Sequence, residues 1–393
     1  MEKSETRRAA TPPTHDAGPS AGLDPVALQA ALDEVHRAGM PGVFAEVGDG
    51  DGTWRGASGV ADPETGRPVG PELRHRVGSV TKTFTAAAVM REAERGRIGL
   101  DAPIGDQLPE SVPGERGSRI TVRMLLNHTS GLPEYLPYAF PSLQGFPSSP
   151  DLSGKSLEEN RYRTFRPAEL IGMGVEAPPA SEPGAPEGTY SNTNYLLLGR
   201  LLEHVTGTPA EEHITRTVIR PAGLRHTAFP AGTEIEGPHS RIYEALYGLI
   251  DPPRDFSVCD MSWAGTGAAL VSTMSDLNRF YGKLLDGEIV SPASLAQMQR
   301  TVPVRTQEGT KTIEYGLGLH RVEMPGGGTF WGHDGTVWGA GTQSLISADG
   351  RRRFSVAVNL TRWNKPDSSG RPRPHPIDDA LKALYERAAG AEA

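Results

Sequence analysis

One internal segment constrains the architecture more than any other part of the chain. Residues 83–94 are rich in alanine and apolar on nearly every side. A helix on a protein surface keeps a polar face, so this pattern is typical of a helix buried in the middle of a domain. With 393 residues, the chain is long enough for two or three units, or for one large α/β body with an insertion. We therefore expect a large domain built around this helix.

The segments on either side predict helices and short strands. Asp24 and Pro25 start an amphipathic helix that ends at Gly39, and residues 42–47 and 53–60 form a hairpin. Further along, residues 274–285 form a helix, and short turn-bounded strands are predicted at 315–319, 328–332, 341–347 and 354–360. The last predicted helix ends at Gly390. Its apolar face is formed by Ile377, Ala380, Leu381, Leu384 and Ala388.

The middle of the chain has a different pattern, with helical segments broken by loops rich in proline and glycine. The fold class is therefore predicted as α/β (α+β), an antiparallel sheet flanked by the terminal helices and interrupted by an all-helical insertion. The predicted units are a disordered arm at 1–22, a sheet domain at 23–100 and 255–393, and a helical domain at 101–254. Clefts form at such domain junctions.

Composition excludes several classes of function. Lys and Arg number 40 against 48 Asp and Glu, a formal net charge of −8, which is unsuited to a nucleic-acid partner. No apolar run approaches the roughly 18–20 residues that cross a bilayer. The polar N-terminus lacks the apolar stretch of a secretory signal, and the single cysteine, Cys259, makes no intrachain disulfide. We expect a cytoplasmic protein with a small-molecule partner and no membrane contact, and its oligomeric state stays open.

Ser79 and Lys82 form the only Ser-x-x-Lys in the chain, at the start of the buried helix. Positions i and i+3 share a helix face, so the lysine amine can lie beside the serine hydroxyl and act on it as a base. The helix N-terminus supplies free N–H groups and positive potential for an oxyanion. Lys82 can serve as a base near neutral pH if burial lowers its pKa from about 10.4.

Two further motifs occur once each: Tyr190-Ser191-Asn192, between a loop and a helical run, and His333-Asp334-Gly335, after an apolar strand. With these, the chain resembles the serine β-lactamase-like, penicillin-recognising enzymes: class C β-lactamases, D-Ala-D-Ala carboxypeptidases and related esterases. The resemblance covers most of the chain from about residue 23 and is carried, in family order, by RVGSVTKTFTA, ITVRMLLNHTSGL, TYSNTNYLLLGRLLE, STMSDL, YGLGL and GHDGTVWG. It implies an α/β sandwich with an all-α insertion.

The resemblance also implies roles for individual residues. Ser79 attacks the acyl carbonyl to form an acyl-enzyme, and Lys82 takes or relays its proton. Tyr190 passes a proton to the leaving group and later activates the acceptor. Whether Lys82 or Tyr190 is the general base stays open. Asn192 hydrogen-bonds the substrate or Lys82, and His333 gives Tyr190 electrostatic support.

Substrate-binding positions follow around the third motif. The backbone N–H groups of Ser79 and of Thr336, which follows Gly335, form the implied oxyanion hole. Trp338 lines an acyl pocket or belongs to the core, as does Trp331. His128 in NHTSGL is interpreted as a packing or turn residue, and no metal-binding motif or cofactor signature is found.

Asp334 departs from the family, whose members have a small neutral residue there. A fixed negative charge at this strand opposes an anionic substrate by about 1 kcal/mol or more and attracts a cationic amine. A carboxylate clamp is also missing, because His320 stands where the peptidases have arginine and Arg321 points to the opposite face. The leading hypothesis is a serine acyltransferase or esterase acting on a small ester or amide, with water or an amine as acceptor, and a transacylase of secondary metabolism is one concrete form of it. The alternatives are a D-Ala-D-Ala carboxypeptidase or β-lactamase, and a non-catalytic penicillin-binding-like scaffold.

Overall fold

The computed structural model describes residues 22–144, 152–307, 309, 311–326, 328–367 and 372–390. The predicted arm lies outside this part of the chain, apart from Gly22. The helices are α1 Pro25–Arg37, α2 Thr81–Glu94, α3 Gly114–Arg119, α4 Val122–Leu126, α5 Leu136–Ala139, α6 Lys155–Glu159, α7 Pro167–Glu176, α8 Asn192–Thr206, α9 Ala210–Ile214, α10 Gly265–Ala268, α11 Met274–Leu285, α12 Pro292–Met298 and α13 Pro376–Ala389.

The strands are β1 Gly42–Asp49, β2 Gly52–Asp62, β3 Arg67–Pro68, β4 His75–Arg76, β5 Gly188–Thr189, β6 Tyr243–Glu244, β7 Arg254–Asp255, β8 Val271–Ser272, β9 Val302–Arg305, β10 Thr312–Tyr315, β11 His320–Met324, β12 Gly328–Val337, β13 Ala340–Ser347, β14 Arg352–Val358 and β15 Leu360–Thr361. Short 3₁₀ helices lie at Gly78–Val80, Ile104–Asp106, Pro141–Leu143 and Leu246–Gly248, and a π-helical turn lies at Thr215–Ile219.

Within the described ranges, ten strands form the main sheet in the order β3-β2-β1-β14-β13-β12-β11-β10-β9-β5. Its strand pairs are antiparallel except at the edge, where β5 adds in parallel to β9. The N- and C-terminal parts of the chain meet in the centre, because β1 pairs with β14 from Val43 opposite Val358 to Asp49 opposite Arg352. The centre of the sheet therefore forms only when β1, from the N-terminal part, pairs with β14, from the C-terminal part.

The terminal helices cover one face of this sheet, as the sequence predicts. The Asp24 side chain caps α1 by accepting a hydrogen bond from Ala27 N at 2.9 Å, and α13 ends at Gly390 in the left-handed conformation. Their apolar faces pack together on the sheet, and the predicted face of α13 is buried. Removing this apolar area from water stabilises the layer by about 25 cal/mol per Å².

The other face of the sheet carries α2 and α11, with α8 packed behind α2. Helix α2 is buried along nearly its whole length, and its Phe84 ring stacks on Phe280 of α11 at 3.7 Å between centroids. The prediction of a central buried helix is confirmed. No helix within the described ranges combines the length and the apolar character needed to cross a bilayer.

Residues 101–254 contain α3 to α9 and pack mainly helix against helix. This region is not wholly helical, because β5 joins the edge of the main sheet and β6 pairs with β7 and β15 in a small separate sheet. Helix α8 of this region packs against α2 of the sheet domain. A cleft opens between the two parts at the first turn of α2.

The strand predicted at 315–319 is wrong. Strand β10 ends at Tyr315, and residues 316–319 form a turn closed by a hydrogen bond from Gly316 N to Leu319 O at 2.7 Å. Gly318 has φ +75°, and a Cβ placed on it would lie 2.4 Å from Cβ of Ala86 in α2. The alternating glycines that resemble a strand pattern thus allow the chain to turn tightly against α2.

Candidate active site

The first turn of α2 places a serine beside a lysine. Ser79 lies in the 3₁₀ turn Gly78–Val80, which continues directly into α2, and Lys82 follows one turn later. Lys82 Nζ lies 2.9 Å from Ser79 Oγ. Ser79 is partly exposed to the cleft, whereas the Lys82 side chain is fully buried.

The buried amine of Lys82 has two further partners, and both are pure acceptors. It donates to Asn192 Oδ1 at 2.6 Å and to the Gly267 carbonyl at 3.1 Å. A neutral amine has two N–H groups and one lone pair, so these acceptors leave the lone pair facing the Ser79 hydroxyl. Burial lowers the pKa of Lys82 to about 7, against the raising effect of the Glu134 and Asp334 carboxylates. The geometry and the pKa thus both suit a base acting on Ser79.

Tyr190 reaches the same point from the helical region. It lies between β5 and α8, and its N–H donates to the Arg305 carbonyl at 2.9 Å. Lys82 Nζ lies 4.9 Å from the centre of its ring. Burial raises the pKa of the Tyr190 phenol well above its usual range, and a hydrogen bond with Ser79 partly opposes this. The phenol is therefore protonated at neutral pH and can donate a proton.

His128 supports the Tyr190 ring from behind, which agrees with its interpretation as a packing residue. The two rings stack at 4.2 Å between centroids. The buried His128 Nδ1 accepts hydrogen bonds from Ser191 N at 3.2 Å and from Asn194 Nδ2 at 3.1 Å. These bonds hold the imidazole in one orientation, and burial lowers its pKa well below the usual range.

His333 is buried on β12, and its two ring nitrogens face Tyr315 and the Asp334 carbonyl rather than Tyr190. His333 Nε2 lies 2.8 Å from Tyr315 Oη, whereas the His333 and Tyr190 ring centroids are 6.3 Å apart and the rings meet edge-on. Burial, followed by the charges of His320 and Lys82, lowers the pKa of His333 well below its usual range. At neutral pH the ring is uncharged, so any effect on Tyr190 passes through packing rather than through positive charge.

Strand β12 lies against the serine turn with no space for side chains between them. A Cβ added to Gly78 would lie 2.6 Å from Thr336 N, and one added to Gly335 would lie 2.0 Å from Val77 O and 2.7 Å from Ser79 N. Two backbone N–H groups from different elements, those of Ser79 and Thr336, thus lie at one place. This is the arrangement that the predicted oxyanion hole requires.

A cavity of about 130 Å³ opens beside Ser79 and is largely apolar on one side. The indoles of Trp263 and Trp338 stack there at 5.0 Å between centroids, and Phe140 packs edge-on against both. Trp338 thus lines the cavity, whereas Trp331 is buried in the core. The cavity is lined by Ser79, Glu134, Tyr135, Leu136, Pro137, Leu143, Asn192, Trp263, Ala268, Gln307, Thr336, Trp338 and Arg362.

Glu134 is a member of the site that the sequence reasoning missed. Its Oε2 accepts hydrogen bonds from Asn192 N at 2.8 Å and Asn192 Nδ2 at 2.9 Å, which orients Asn192 Oδ1 toward Lys82. Burial raises the pKa of the Glu134 carboxyl, and the nearby Lys82 opposes this rise. Glu134 follows NHTSGL by a few residues, but nothing in that stretch marks it as a site residue.

Asp334 points away from the apolar cavity into a second, polar groove of about 410 Å³. Its side chain is 60% exposed, and its Oδ1 lies 3.8 Å from His320 Nε2 and 3.7 Å from His333 Nδ1. Thr336 and Arg362 line both the groove and the cavity, so the two spaces adjoin across β12. His320 is buried and Arg321 exposed, as the predicted alternation requires.

A mixed α/β fold with a serine, a lysine and a tyrosine meeting where the sheet joins a helical region defines a class, the serine hydrolases with the fold of penicillin-binding proteins. The chain belongs to the Beta-lactamase family, whose model matches residues 28–381.

Two curated relatives with different names match this chain over different lengths. The chain is 34% identical to Esterase EstB of Burkholderia gladioli over 219 residues, which is 53% of each chain, so the match spans about half of that relative. It is 26% identical to Penicillin-binding protein 4* of Bacillus subtilis over 84% of this chain and 69% of the relative.

Among solved structures, a D-stereospecific amidohydrolase from Streptomyces sp. is 33% identical with a TM-score of 0.76, over 88% of this chain and 97% of that one. The D-amino acid amidase of Ochrobactrum anthropi is 24% identical with a TM-score of 0.74, over 92% and 97%, and shows the fold alone.

Proposed function

We propose that the protein is a serine esterase or amidase that carries a small acyl group on Ser79 and transfers it to water or an amine. The observation that carries the proposal is the environment of Lys82. Burial lowers the pKa of its amine to about 7, and Nζ lies 2.9 Å from Ser79 Oγ, so the neutral amine can accept the Ser79 proton near neutral pH.

The steps follow from the positions of the groups. Ser79 Oγ bonds to the acyl carbon while its proton passes to Lys82, and the N–H groups of Ser79 and Thr336 stabilise the oxyanion. Tyr190 donates its phenolic proton to the leaving alcohol or amine as the acyl bond breaks, and the proton held by Lys82 restores it. Water or an amine then gives a proton to Lys82 as it attacks the carbonyl carbon of the Ser79 ester. The bond from that carbon to Ser79 Oγ breaks, and Lys82 returns the proton to Ser79 Oγ as the acyl product leaves.

The cavity favours an amide or ester with an apolar, preferably aromatic, acyl part. Such a group fits against Trp263 and Trp338, and the Glu134 carboxylate in the same cavity attracts an ammonium group. The relative named as a D-stereospecific amidohydrolase agrees with an aminoacyl substrate of D configuration. Asp334 in the adjoining groove favours a cationic amine as acceptor, which is the transacylase form of this function. A cytoplasmic location and a small-molecule partner belong to the same proposal.

A two-stage experiment tests this function. A fluorophosphonate probe is expected to add once to the protein in intact mass spectrometry and not to add to Ser79→Ala. Hydrolysis rates are then compared for p-nitrophenyl esters, D- and L-phenylalanine amide and D-Ala-D-Ala peptides. We expect rapid ester cleavage, preference for the D-amide and negligible D-Ala-D-Ala cleavage.

The two alternative hypotheses predict different results in this experiment. Preferred cleavage of D-Ala-D-Ala peptides or penicillin would establish the carboxypeptidase or β-lactamase alternative, against the repulsion expected from Asp334. The absence of any Ser79 adduct would establish the non-catalytic scaffold.

A further inference from the structure

A second cluster of titratable groups lies next to the serine site, and only its Asp334 enters the proposed function, through its attraction for an amine acceptor. His320 begins β11, and His333 and Asp334 are neighbours on β12, which pairs with β11 so that His320 lies opposite Gly332. One ligand atom from each of the three residues lies within 4.8 Å of the others. The hairpin register thus brings two imidazoles and a carboxylate to one point.

The state of His320 is the unusual feature of the cluster. The side chain is only 8% exposed, and its Nε2 is buried with no hydrogen-bond partner among the residues that the structure describes. Leaving such an atom unpaired costs about 1–3 kcal/mol. Its nearest charged neighbour is Asp334 Oδ1 at 3.8 Å, too far for a hydrogen bond and wide enough for an ion to lie between the two atoms.

The separations of Asp334 Oδ1 from the two imidazoles are longer than hydrogen bonds and close to those between the ligands of a metal ion. A tetrahedral Zn²⁺ ion bonded to nitrogen and oxygen at about 2.0–2.2 Å spaces its ligands about 3.3 Å apart. Asp334 Oδ1 is 3.8 Å from His320 Nε2 and 3.7 Å from His333 Nδ1, and all three ligand atoms lie within 4.8 Å of one another. Binding an ion therefore requires these atoms to approach by up to about 1.5 Å and the His333 ring to turn from the Asp334 carbonyl. Two imidazoles favour a transition ion over Mg²⁺ or Ca²⁺, which prefer oxygen ligands.

We propose that His320 Nε2, His333 Nδ1 and Asp334 Oδ1 form a binding site for a divalent transition-metal ion such as Zn²⁺, with the fourth position open to solvent. Asp334 is 60% exposed and provides the way in. The ion replaces the His333 Nδ1 proton, which now bonds the Asp334 carbonyl, and the other ring nitrogen then donates its N–H to Tyr315 Oη, 2.8 Å away. A hydrogen-bonded second nitrogen is the usual arrangement for a metal-binding histidine.

The position of the site implies a regulatory effect. Gly335 and Thr336 follow Asp334 directly and form the wall between the polar groove and the Ser79 cavity. An ion on Asp334, with its bound water, would occupy the mouth of this groove and neutralise the charge that attracts an amine. We expect Zn²⁺ to inhibit acyl transfer to amines at least severalfold, and chelation by EDTA to restore it.

Titration calorimetry of Zn²⁺ into the metal-free full chain tests the site without depending on activity, and Co²⁺ is added separately to read the coordination from its visible spectrum. We expect one ion per chain and a tetrahedral Co²⁺ spectrum. Both His320→Asn and Asp334→Asn are expected to weaken binding at least tenfold. His204→Asn, which removes an exposed histidine on α8, serves as the matched control and is expected to bind as the wild type does.

Three results of these titrations would contradict the proposed metal site. Equal Zn²⁺ affinity in the wild type, His320→Asn and Asp334→Asn would overturn the proposal, as would the absence of binding or a stronger response to Mg²⁺. Because Asp334 is largely exposed, its variant tests the site even if His320→Asn does not fold. The Ser79→Ala variant is expected to bind Zn²⁺ normally, so failure of the metal site and failure of the proposed catalytic function are distinguishable.

Discussion

The two walls beside Ser79 differ in origin and in chemistry. One wall is apolar and comes largely from loops of the helical region and the segment before α10, with the paired indoles of Trp263 and Trp338 at its centre. The other, polar wall belongs to the groove that adjoins the cavity across β12, and it carries Asp334 with His320 and His333 buried beside it. The sheet thus supplies charged and titratable groups in fixed positions, while the loops supply a surface whose shape selects the acyl group.

Replacing Lys82 by methionine is expected to have the largest effect, because both walls depend on the same activated serine. Loss of the base should lower kcat for p-nitrophenyl esters by about 10³-fold, within the range typical of general bases. The loss should be the same for aromatic and acetyl esters. Lys382→Met, which changes an exposed lysine on α13, is the control and should retain full activity. A loss confined to aromatic esters would show that Lys82 acts through the apolar wall.

Truncation of Trp338 to alanine is expected to damage the apolar wall alone. The lost contact should lower kcat/KM for aromatic acyl esters by about 10- to 100-fold, equivalent to about 1–3 kcal/mol, and change acetyl ester cleavage far less. Steady-state kinetics on a matched ester series measures the difference. Trp331→Phe, in the core, should lower thermal stability without altering this ratio. An equal loss for both esters would remove Trp338 from substrate selection.

Neutralising the polar wall with Asp334→Asn should have a smaller effect of the opposite kind. Without the carboxylate, kcat/KM for substrates carrying a free carboxylate should rise about fivefold, equivalent to about 1 kcal/mol, and transfer to cationic amines should fall. Asp379→Asn on α13 changes the net charge equally and serves as the control. Both effects should shrink at high salt, because Asp334 is exposed. An unchanged preference would show that Asp334 does not face the substrate.

The smallest expected effect is a displacement of the pH profile. Lys82 is active as the neutral amine, so kcat/KM should rise as the pH increases through about 7. The Glu134 carboxylate raises the pKa of Lys82, so Glu134→Gln should move this rise to lower pH, and Asp334→Asn should do so to a lesser extent. Stopped-flow acylation across the pH range measures both shifts. A rise displaced to higher pH would contradict the electrostatic link between the two walls and Lys82.

Local sequence patterns predict the helices whose bounds depend on nearby residues, such as capping residues and the apolar residues of one face. Helix α11 has the predicted bounds, α1 begins after its predicted cap Asp24, and α13 ends at the predicted Gly390. The local pattern predicts a strand at 315–319, whereas the packing of Gly318 against α2 accompanies a tight turn at 316–319. Local periodicity therefore fails where a distant helix determines the backbone conformation.

The candidate site also contains some contacts that sequence spacing predicts and others that only the tertiary fold creates. Ser79 and Lys82 are three residues apart on one turn, so their contact could be inferred from helix geometry. Glu134 and the Gly267 carbonyl reach Lys82 or its partner only through the tertiary fold, and no sequence spacing relates them. The resemblance implies that His333 supports Tyr190, whereas His333 Nε2 lies within hydrogen-bond distance of Tyr315 Oη.

The contact between Gly78 and Gly335 determines which parts of this enzyme can change independently. Since two main chains touch there, a single methyl group at either position would push β12 off the serine turn and misalign the paired amides. Loop residues that face the acyl group have no such restriction. Directed evolution toward new substrates should therefore accumulate changes around the indoles and leave these two glycines untouched, which makes them poor targets for a mutant library and good markers of retained chemistry.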